Sequence, residues 1–189
     1  MTSLAQQNFR RLLCLLVREN FSKECEKAIN KQINMELKAC HHYLAMAFHF
    51  DRSEVAAPGV FKFLNEASHE ERKHAEMFME YMNKRGGTIK VEALEAPKAK
   101  IETAKDAMME ALNMEKEVNE ALLEAHAIAS KNNDPNMCDF IEANFLQEQV
   151  DAIKQLADFI RQIERSECDL GNYLFDKYLA ANSGNMHKK

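Results

Sequence analysis

The chain has 189 residues, enough for one domain with a sizeable core, and its five glycines and three prolines are few enough to favour long helices over a sheet. A formal net charge of −5 argues against a nucleic-acid partner, and no run approaches the roughly 18 apolar residues of a membrane span, so we expect neither partner. The cysteines have no zinc-site or redox-motif spacing, which predicts reduced thiols in a cytoplasmic protein; they are Cys14, Cys25, Cys40, Cys138 and Cys168.

The N-terminal segment has two possible interpretations. Arg10 and Arg11 precede the apolar run Leu12–Val17, which is the order of charge and apolar residues found in a secretory signal peptide. The run is short, however, and no small-residue cleavage site follows it. We therefore expect a short amphipathic helix within residues 1–20, as an extension ahead of the folded domain.

Two long helices follow this extension. Ser22 is a good N-cap residue, so we predict the first helix from there to Phe50. The second begins at Pro58, because proline suits the first position of a helix, and Gly86-Gly87 ends it at about Arg85. In both helices apolar residues recur at steps of three and four, which predicts one buried face on each. These residues are Ile29, Ile33, Leu37, Cys40, Leu44 and Phe48 in the first helix, and Val60, Leu64, Ala67, Phe78 and Tyr81 in the second.

The segment 86–100 is a long connection, because it has no clear period and contains Pro97. The second helix should be roughly 39 Å long, and about fifteen extended residues can span roughly 50 Å. The connection can therefore travel the whole length of the bundle and start the third helix parallel to the second. This predicts a four-helix bundle with one long crossover rather than a series of up-down hairpins.

Two further long helices and a short one complete the chain. We predict the third helix from Ile101 to Lys131 and the fourth from Pro135, after the turn Asn132–Asp134, to Glu164. The predicted buried residues are Ile101, Met108, Ala111, Val118, Leu122 and Ala125 in the third helix, and Ile141, Phe145, Ala152, Leu156 and Ile160 in the fourth. The short fifth helix carries Leu170, Leu174 and Tyr178 on one face.

Each long helix has one polar interruption in its apolar face. In the second helix it is the pair Glu71 and His74, whose spacing places a carboxylate and an imidazole on the same side. Alone, this pair is also compatible with a satisfied core histidine or a half-exposed face. The other interruptions are Glu36, Glu115 and Gln149, and each lies near the midpoint of its helix, so that all should meet at one height. A buried carboxylate needs a partner, and this oxygen-rich set suits iron(II) or manganese(II).

Several stretches form a specific set: Ile33–Leu37, Ser68–Arg72, His74–Glu76, Arg85–Gly87, Asn132–Pro135, Cys138–Glu142, Glu148–Val150 and Tyr173–Lys177. Together they resemble the ferritin family, specifically its heavy-chain, ferroxidase-bearing type. The resemblance implies an all-α, ferritin-like four-helix bundle with one long crossover loop and a short C-terminal fifth helix. It also implies iron storage and detoxification. In that family twenty-four subunits form a hollow shell, either as a homo-oligomer or mixed with other ferritin subunits. The shell oxidises iron(II) with dioxygen and stores iron(III) mineral inside.

Matched by position, the set implies a di-iron centre within each subunit. Glu36, Glu71 and His74 resemble the ligands of a first iron, and Glu71 would bridge to a second iron held by Glu115. The residues implied in catalysis are Glu36, Tyr43, Glu71, His74, Glu115 and Gln149, with Tyr43 beside the centre and Gln149 near the second iron.

The chain also departs from related patterns. Val118 stands three residues after Glu115, so a second Glu-x-x-His is missing. This sets the chain apart from bacterial haem-binding ferritins and from di-iron oxygenases, and it suits a centre that releases its oxidised product. Tyr178 occupies a place often held by histidine at the four-fold axis, and residues 1–20 have no counterpart in the common pattern.

Asp139 and Glu142 lie three residues apart near the start of the fourth helix. In isolation they indicate a solvated surface pair. By resemblance they match residues that line a three-fold channel for iron, with His126 and Cys138 close by.

A further set on the second helix resembles the surface where mineral nucleates. Glu66, Glu70 and Glu76 match positions that face the cavity in the family. Lys73 and His69 stand at positions that are often acidic there, which implies weaker nucleation.

We expect three parts in the chain: the extension of residues 1–20, a bundle domain of residues 21–181 and a flexible tail of residues 182–189. Two other classes stay open. One is a storage-only subunit without oxidase activity, and the complete set of centre residues argues against it. The other is a DNA-protecting mini-ferritin with its iron site between subunits; the intrasubunit ligand set, the fifth helix and the acidic charge argue against that class.

Overall fold

The structure is a computed structural model that describes residues 17–97 and 101–182. Most of the predicted N-terminal helix and most of the predicted tail lie outside these ranges. The helices are α1 (Lys23–Phe50), α2 (Pro58–Lys84), α3 (Ala104–Lys131), α4 (Pro135–Ile141), α5 (Gln147–Arg165) and α6 (Asp169–Asn182), and a π-helical segment, Glu142–Leu146, joins α4 to α5. None of the helices in the described ranges has both the length and the apolarity needed to cross a membrane.

The predicted fold class is confirmed, since α1, α2, α3 and the joined α4–α5 form a four-helix bundle and α6 is a short fifth helix. Ser22 caps α1 as predicted, and its side chain accepts a hydrogen bond from a backbone N–H of the first turn (3.0 Å). The third helix starts at Ala104 rather than at Ile101. Thr103 and Asp106 form a capping box there, which fixes the helix start.

The crossover after α2 runs along α1 and is held by two asparagine side chains. Asn30 Oδ1 accepts from Lys90 N (2.7 Å), and its Nδ2 donates to Thr88 O (3.0 Å). Asn34 repeats this contact one step further on, accepting from Glu92 N (2.7 Å) and donating to Lys90 O (2.8 Å). From Asn30 to Asn34 the helix rises by four residues, about 6.0 Å. Over the same distance the crossover advances by two extended residues, about 6.6 Å, so the two spacings match. The loop therefore climbs along α1, and α3 starts parallel to α2, as predicted.

Two apolar clusters fill the opposite ends of the bundle. One lies where α1 ends and α2 and α3 begin, and the other where α1 begins and α2 and α3 end. Their large members include Phe50, Phe63, Met108 and Phe159 in the first cluster and Ile29, Phe78, Leu122 and Ile141 in the second. The residues predicted to be buried in α2 are all buried, and so are those predicted in α3 from Met108 onward. The residues predicted for the joined α4–α5 are buried or half-buried.

The face predicted for α1 is wrong in its second half. Ile29 and Ile33 are buried, but Leu44 and Phe48 are 38% and 55% exposed. The predicted residues are spaced by nearly four on average, and a helix turns by about 100° per residue, so Phe48 lies about 100° around the axis from Ile29. The buried face continues instead through Ala39, Tyr43, Met46, Ala47 and Phe50.

Asp176 of α6 caps the start of α2. This helix begins at Pro58, as predicted, and Ala57 before it makes no side-chain cap. Asp176 Oδ1 instead accepts from Gly59 N (2.6 Å) and Val60 N (3.0 Å). A Cβ on Gly59 would lie 1.9 Å from the backbone oxygen of Asp176, so only glycine permits this close approach. The contact fixes α6 against the bundle.

The face of α6 that the sequence pattern singled out is exposed. Leu170, Leu174 and Tyr178 are 65%, 57% and 46% exposed, whereas Phe175 and Leu179 join the apolar cluster at that end. Because Asp176 must face the start of α2, its neighbours Phe175 and Leu179 are the apolar residues turned toward the bundle.

Arg85, just past α2, connects the chain segments at the other end. Its guanidinium pairs with the buried Asp134 (2.8 Å) and donates to the backbone oxygens of Asn20 (2.8 Å) and Glu19 (3.3 Å). It also lies over the ring of Phe21, 4.8 Å from the centroid. Residues 19 and 20, which belong to the predicted extension, therefore contact the bundle.

We predict that Asp176→Ala loosens α6. The change leaves the N–H groups of Gly59 and Val60 buried without an acceptor, which should lower the free energy of unfolding by about 1–3 kcal/mol. Hydrogen exchange at these two amides should accelerate. The control is Asp158→Ala, which removes an exposed carboxylate from α5. If the two variants exchange these amides at the same rate, Asp176 does not cap α2.

Candidate metal centre

The polar interruptions of the long helices meet between the two apolar clusters. Glu36, Glu71, Glu115 and Gln149 are each at most 6% exposed, although they come from four different helices. His74 joins them with 12% of its side chain exposed. Because each residue lies near the middle of its helix, packing of both bundle ends brings all of them to one height, as the sequence predicted.

Glu36, Glu71 and His74 form a group whose ligand atoms lie within 4.8 Å of one another. His74 Nδ1 is 3.6 Å from Glu71 Oε2, which is too long for a hydrogen bond. Glu36 Oε2 and Glu71 Oε2 are buried and have no hydrogen-bond partner. A cation between these oxygens would satisfy both, and two carboxylates with one imidazole fit iron(II) or manganese(II).

Glu115 forms the other side of the site and is oriented from two directions. The Tyr43 hydroxyl donates to Glu115 Oε1 (2.6 Å). Gln149 Nε2 donates to Glu115 Oε2 (2.6 Å) and to the Glu115 backbone oxygen (2.9 Å). Gln149 therefore acts here as a donor that positions the carboxylate, and Tyr43 reaches the site through the same residue.

Sequence reasoning missed Gln32, which orients Glu36. Gln32 is 1% exposed, and its Nε2 donates to Glu36 Oε1 (2.6 Å). The two residues are four apart on α1 and so share a face. A second polar residue one turn before Glu36 was the pattern that could have revealed it.

Glu148, next to Gln149, was not predicted as a site residue either. It forms a second group of close ligand atoms with Glu70 and His74. His74 Nε2 lies 3.4 Å from Glu148 Oε1, so both ring nitrogens of this histidine face carboxylates. A metal could occupy either side of the imidazole.

The π-helical segment keeps Gln149 directed into the site. Ile141, Phe145 and Gln149 are buried at a spacing of four, which is wider than the 3.6-residue turn of an α-helix. The wider turn of a π-helix corrects the drift of these residues around the helix axis. The Asn144 side chain donates to Phe140 O (2.7 Å), which supplies a donor to a carbonyl within this irregular stretch. Sequence reasoning did not predict this segment.

Burial raises the pKa of Glu36 and of Glu71 well above the usual range, and each is raised further by a neighbouring carboxylate, Glu71 for the first and Glu115 for the second. Burial also raises the pKa of Glu115, and raises that of Tyr43 well above its usual value, with the charge of Glu115 adding to the effect. Burial disfavours the charged form of His74, but the hydrogen bond with Glu148 and the charges of the surrounding carboxylates together outweigh it and raise this pKa. Without a cation, burial therefore favours the protonated forms of these carboxyls, and a metal ion would favour their charged forms.

The acidic pair at the start of the fourth helix is exposed, and two predicted neighbours lie beside it. His126 Nε2 is 2.5 Å from Glu142 Oε1, and Cys138 Sγ is 3.9 Å from His126 O. Asp139 is exposed in the same turn. A channel lined by these residues would need further copies of the chain.

The acidic residues predicted on α2 are only partly brought together. Glu66 and Glu70 are half-buried and Glu76 is exposed. Among the described residues, Glu70 is the one of these three that belongs to a group able to hold a metal. Lys73 and His69 are both exposed on the same helix.

Comparisons with known proteins cover the whole site. A model of the ferritin-like domain matches residues 26–166. The chain is 51% identical to the ferritin-2 heavy chain of Schistosoma mansoni, over 85% of this chain and 94% of that protein. It is 48% identical to the ferritin heavy chain of Echinococcus granulosus, over 86% and 94%. It is 46% identical to the soma ferritin of Lymnaea stagnalis, over 88% and 96%.

The raised pKa of Glu36 predicts how the metal-free protein responds to pH. The folded state binds this proton more tightly than the unfolded chain, whose pKa is near 4.5. The stability from this group is therefore fully present below that pH and is lost as the pH rises through the folded pKa. Glu36→Gln removes the titration, so the variant should gain in stability relative to wild type as the pH rises above about 4.5, the pKa of the unfolded chain.

Thermal unfolding of the metal-free proteins measures this difference. Glu80→Gln, which changes an exposed carboxylate on α2, is the control and should follow the wild type at every pH. A difference between Glu36→Gln and wild type that stays constant with pH would contradict a buried proton at Glu36.

Proposed function

The chain belongs to the ferritin family, and on that premise we propose that it stores and detoxifies iron by oxidising iron(II) with dioxygen and holding the iron(III) product as mineral. The observation that carries this proposal is the buried group Glu36, Glu71 and His74, with its two unpartnered carboxylate oxygens. The similarity to heavy-chain relatives supports the same reaction.

Iron(II) is the substrate in this proposal. Glu36, Glu71 and His74 bind one ion, and Glu71 is shared with a second ion held by Glu115. Carboxylates bind iron(III) more strongly than iron(II) because its charge is higher, so they favour loss of one electron from each ion to dioxygen. The entering ions favour the charged forms of these carboxyls, against the effect of burial.

Tyr43 and Gln149 act on the second ion through Glu115. Both donate to its carboxylate, at 2.6 Å each, and so fix the direction in which its remaining lone pairs point. Val118 supplies no ligand three residues after Glu115, so the second ion has fewer protein ligands than the first. This difference favours release of the oxidised product toward mineral.

We also propose a shell of twenty-four subunits, built from this chain alone or mixed with other ferritin subunits. Exposed apolar residues on α1 and α6 support an assembly, because subunit contacts would cover them. They are Leu44, Phe48, Leu170, Leu174 and Tyr178. Inside the shell, Glu66, Glu70 and Glu76 would nucleate mineral, and the neighbouring Lys73 and His69 would weaken that step.

We propose a cytoplasmic location, which the free state of the described cysteines supports; these are Cys25, Cys40, Cys138 and Cys168. We also propose residues 1–20 as an extension, residues 21–181 as the bundle domain and residues 182–189 as a flexible tail. Arg18 pairs with Glu26 (2.6 Å), so the last residues of the extension lie against the bundle.

The proposed centre is tested by Glu71→Lys combined with His74→Gly. The pair removes the shared ligand and the imidazole and places a cation where the metals should bind. Fast oxidation of iron(II), followed by stopped-flow absorbance after mixing in air, should slow by about 100-fold or more. Folding should survive, because a buried ion site is weak evidence for stability.

The matched control is Glu80→Lys combined with His41→Gly, the same substitutions at exposed positions. It should oxidise iron at the wild-type rate. Fast oxidation in the Glu71 and His74 variant would mean that the chemistry lies elsewhere, and failure of that variant alone to assemble would mean that the site is structural.

We propose that Asp139 and Glu142 guide iron(II) into the shell. Three symmetry copies would place six carboxylates around one pore, which attracts cations over a distance that salt shortens. Changing both residues to Ala should slow oxidation several-fold at low iron and low salt, and added salt should reduce the wild-type advantage. Changing Asp151 and Asp158, two exposed carboxylates on α5, to Ala is the control. Equal rates at every salt concentration would exclude the channel role.

A further inference from the structure

Gln32 is a buried amide beside the carboxylate centre, and only half of it has a partner. The residue lies on the buried face of α1 with Ile29 and Ile33, and it is 1% exposed. Its Oε1 is buried and has no hydrogen-bond partner, which costs stability that a methionine of similar size would not cost. The favourable polar contact of this side chain is therefore the one made by Nε2.

Nε2 holds one oxygen of Glu36 and leaves the other without a partner. It donates to Glu36 Oε1 (2.6 Å), whereas Glu36 Oε2 is buried with no hydrogen-bond partner. The reverse orientation of the amide would place Gln32 Oε1 against Glu36 Oε1, where a charged carboxylate has no proton to share. The orientation in the structure is therefore the one that suits a charged, metal-binding Glu36.

The unpartnered oxygen of Glu36 belongs to the group that can hold a metal. Glu36, Glu71 and His74 offer ligand atoms within 4.8 Å of one another, and Glu71 Oε2 also lacks a hydrogen-bond partner. A carboxylate that is hydrogen-bonded at one oxygen is restricted in its rotation, so Glu36 presents Oε2 in one direction. This arrangement favours binding of an ion through a single oxygen of Glu36.

A second glutamine has the same relation to the carboxylate on the other side of the site. Gln149 Nε2 donates to Glu115 Oε2, also at 2.6 Å. Glu115 has a further donor in the Tyr43 hydroxyl, whereas Gln32 is the one N–H donor to Glu36 among the described residues. The orientation of Glu36 therefore depends on a single amide.

We propose that Gln32 is a positioning residue for the first metal ion, because it fixes Glu36 so that Oε2 faces Glu71 and His74. This role rests on the proposed function, in which these three residues bind iron(II). An N–H donor orients a carboxylate and stabilises its charge, and partners of this kind contribute about 10–100-fold to metal affinity. We therefore expect Gln32 to set the affinity for the first ion more than the maximal rate of oxidation.

Gln32→Met removes the donor at nearly constant side-chain volume. The full-length assembled protein, freed of metal and kept without dioxygen, is titrated with cobalt(II), whose visible absorbance reports ions bound inside the protein. The first cobalt(II) should bind about tenfold or more weakly in Gln32→Met than in wild type. In air, the iron(II) concentration that gives half-maximal fast oxidation should rise by a similar factor, with a smaller change in the maximal rate.

Gln155→Met is the matched control, since it makes the same substitution at a half-buried glutamine of α5 and should bind cobalt(II) as wild type does. Glu36→Gln separates positioning from packing. This change weakens binding by itself, and adding Gln32→Met to it should weaken binding little further, because no charged Glu36 is left to position. A packing role would instead give the same loss in both backgrounds.

Wild-type cobalt(II) affinity in Gln32→Met, or an equal loss in the Glu36→Gln background, would overturn the proposal. If Gln32→Met does not assemble, Gln32→Asn decides, because it keeps an amide that is one methylene shorter and should not reach Glu36. Failure of both variants to assemble would mean that Gln32 is structural, which also overturns the proposal. A wild-type protein that oxidises no iron(II) would contradict the proposed function instead, and the cobalt(II) titrations would still decide the role of Gln32.

Discussion

The structure depends on placing Glu36, Glu71 and Glu115 in one buried layer of an apolar bundle. A single buried carboxylate is disfavoured by several kcal/mol, and three together repel one another as well. Their raised pKa values express that strain. The two cations of the proposed centre would reverse the sign of the interaction, so the same layer that weakens the metal-free bundle would become a strong site for positive charge. Apolar clusters above and below it stabilise the helices that carry the layer.

The three carboxylates stay at one height only if each helix is fixed along its axis. Separate contacts at the two ends of the bundle fix the helices in this way. Asn30 and Asn34 lock the crossover to α1 with one hydrogen-bonded step per helical turn. Asp176 fixes the start of α2, and Arg85 with Asp134 fixes the opposite end of the bundle. A slip of one residue would move a carboxylate by about 1.5 Å and 100°, which would take it out of the layer.

Much of this followed from the sequence, because caps, periodicity and polar interruptions are local patterns. The sequence predicted the helix starts at Ser22 and Pro58. It also predicted the parallel crossover and the common height of the polar interruptions. The predictions that were wrong depended on contacts between distant residues or on small angular errors. The predicted buried face of α1 was wrong in its second half because a spacing near four residues rotates steadily around the helix axis. The predicted face of α6 was wrong because the orientation of this helix is set by Gly59, more than a hundred residues earlier. Gln32 and the π-helical segment act by positioning other residues. The polar residue one turn before Glu36 was the one local signal for Gln32, and no motif marks the π-helical segment.

Iron-edge anomalous diffraction tests the central claim most directly. Crystals soaked in iron(II) without dioxygen would report where the chain binds its substrate before any reaction. We expect two peaks in each subunit, one contacted by Glu36, Glu71 and His74 and the other between Glu71 and Glu115. Iron found only at surface carboxylates such as Asp139 and Glu142, with none in the buried layer, would contradict the proposed centre.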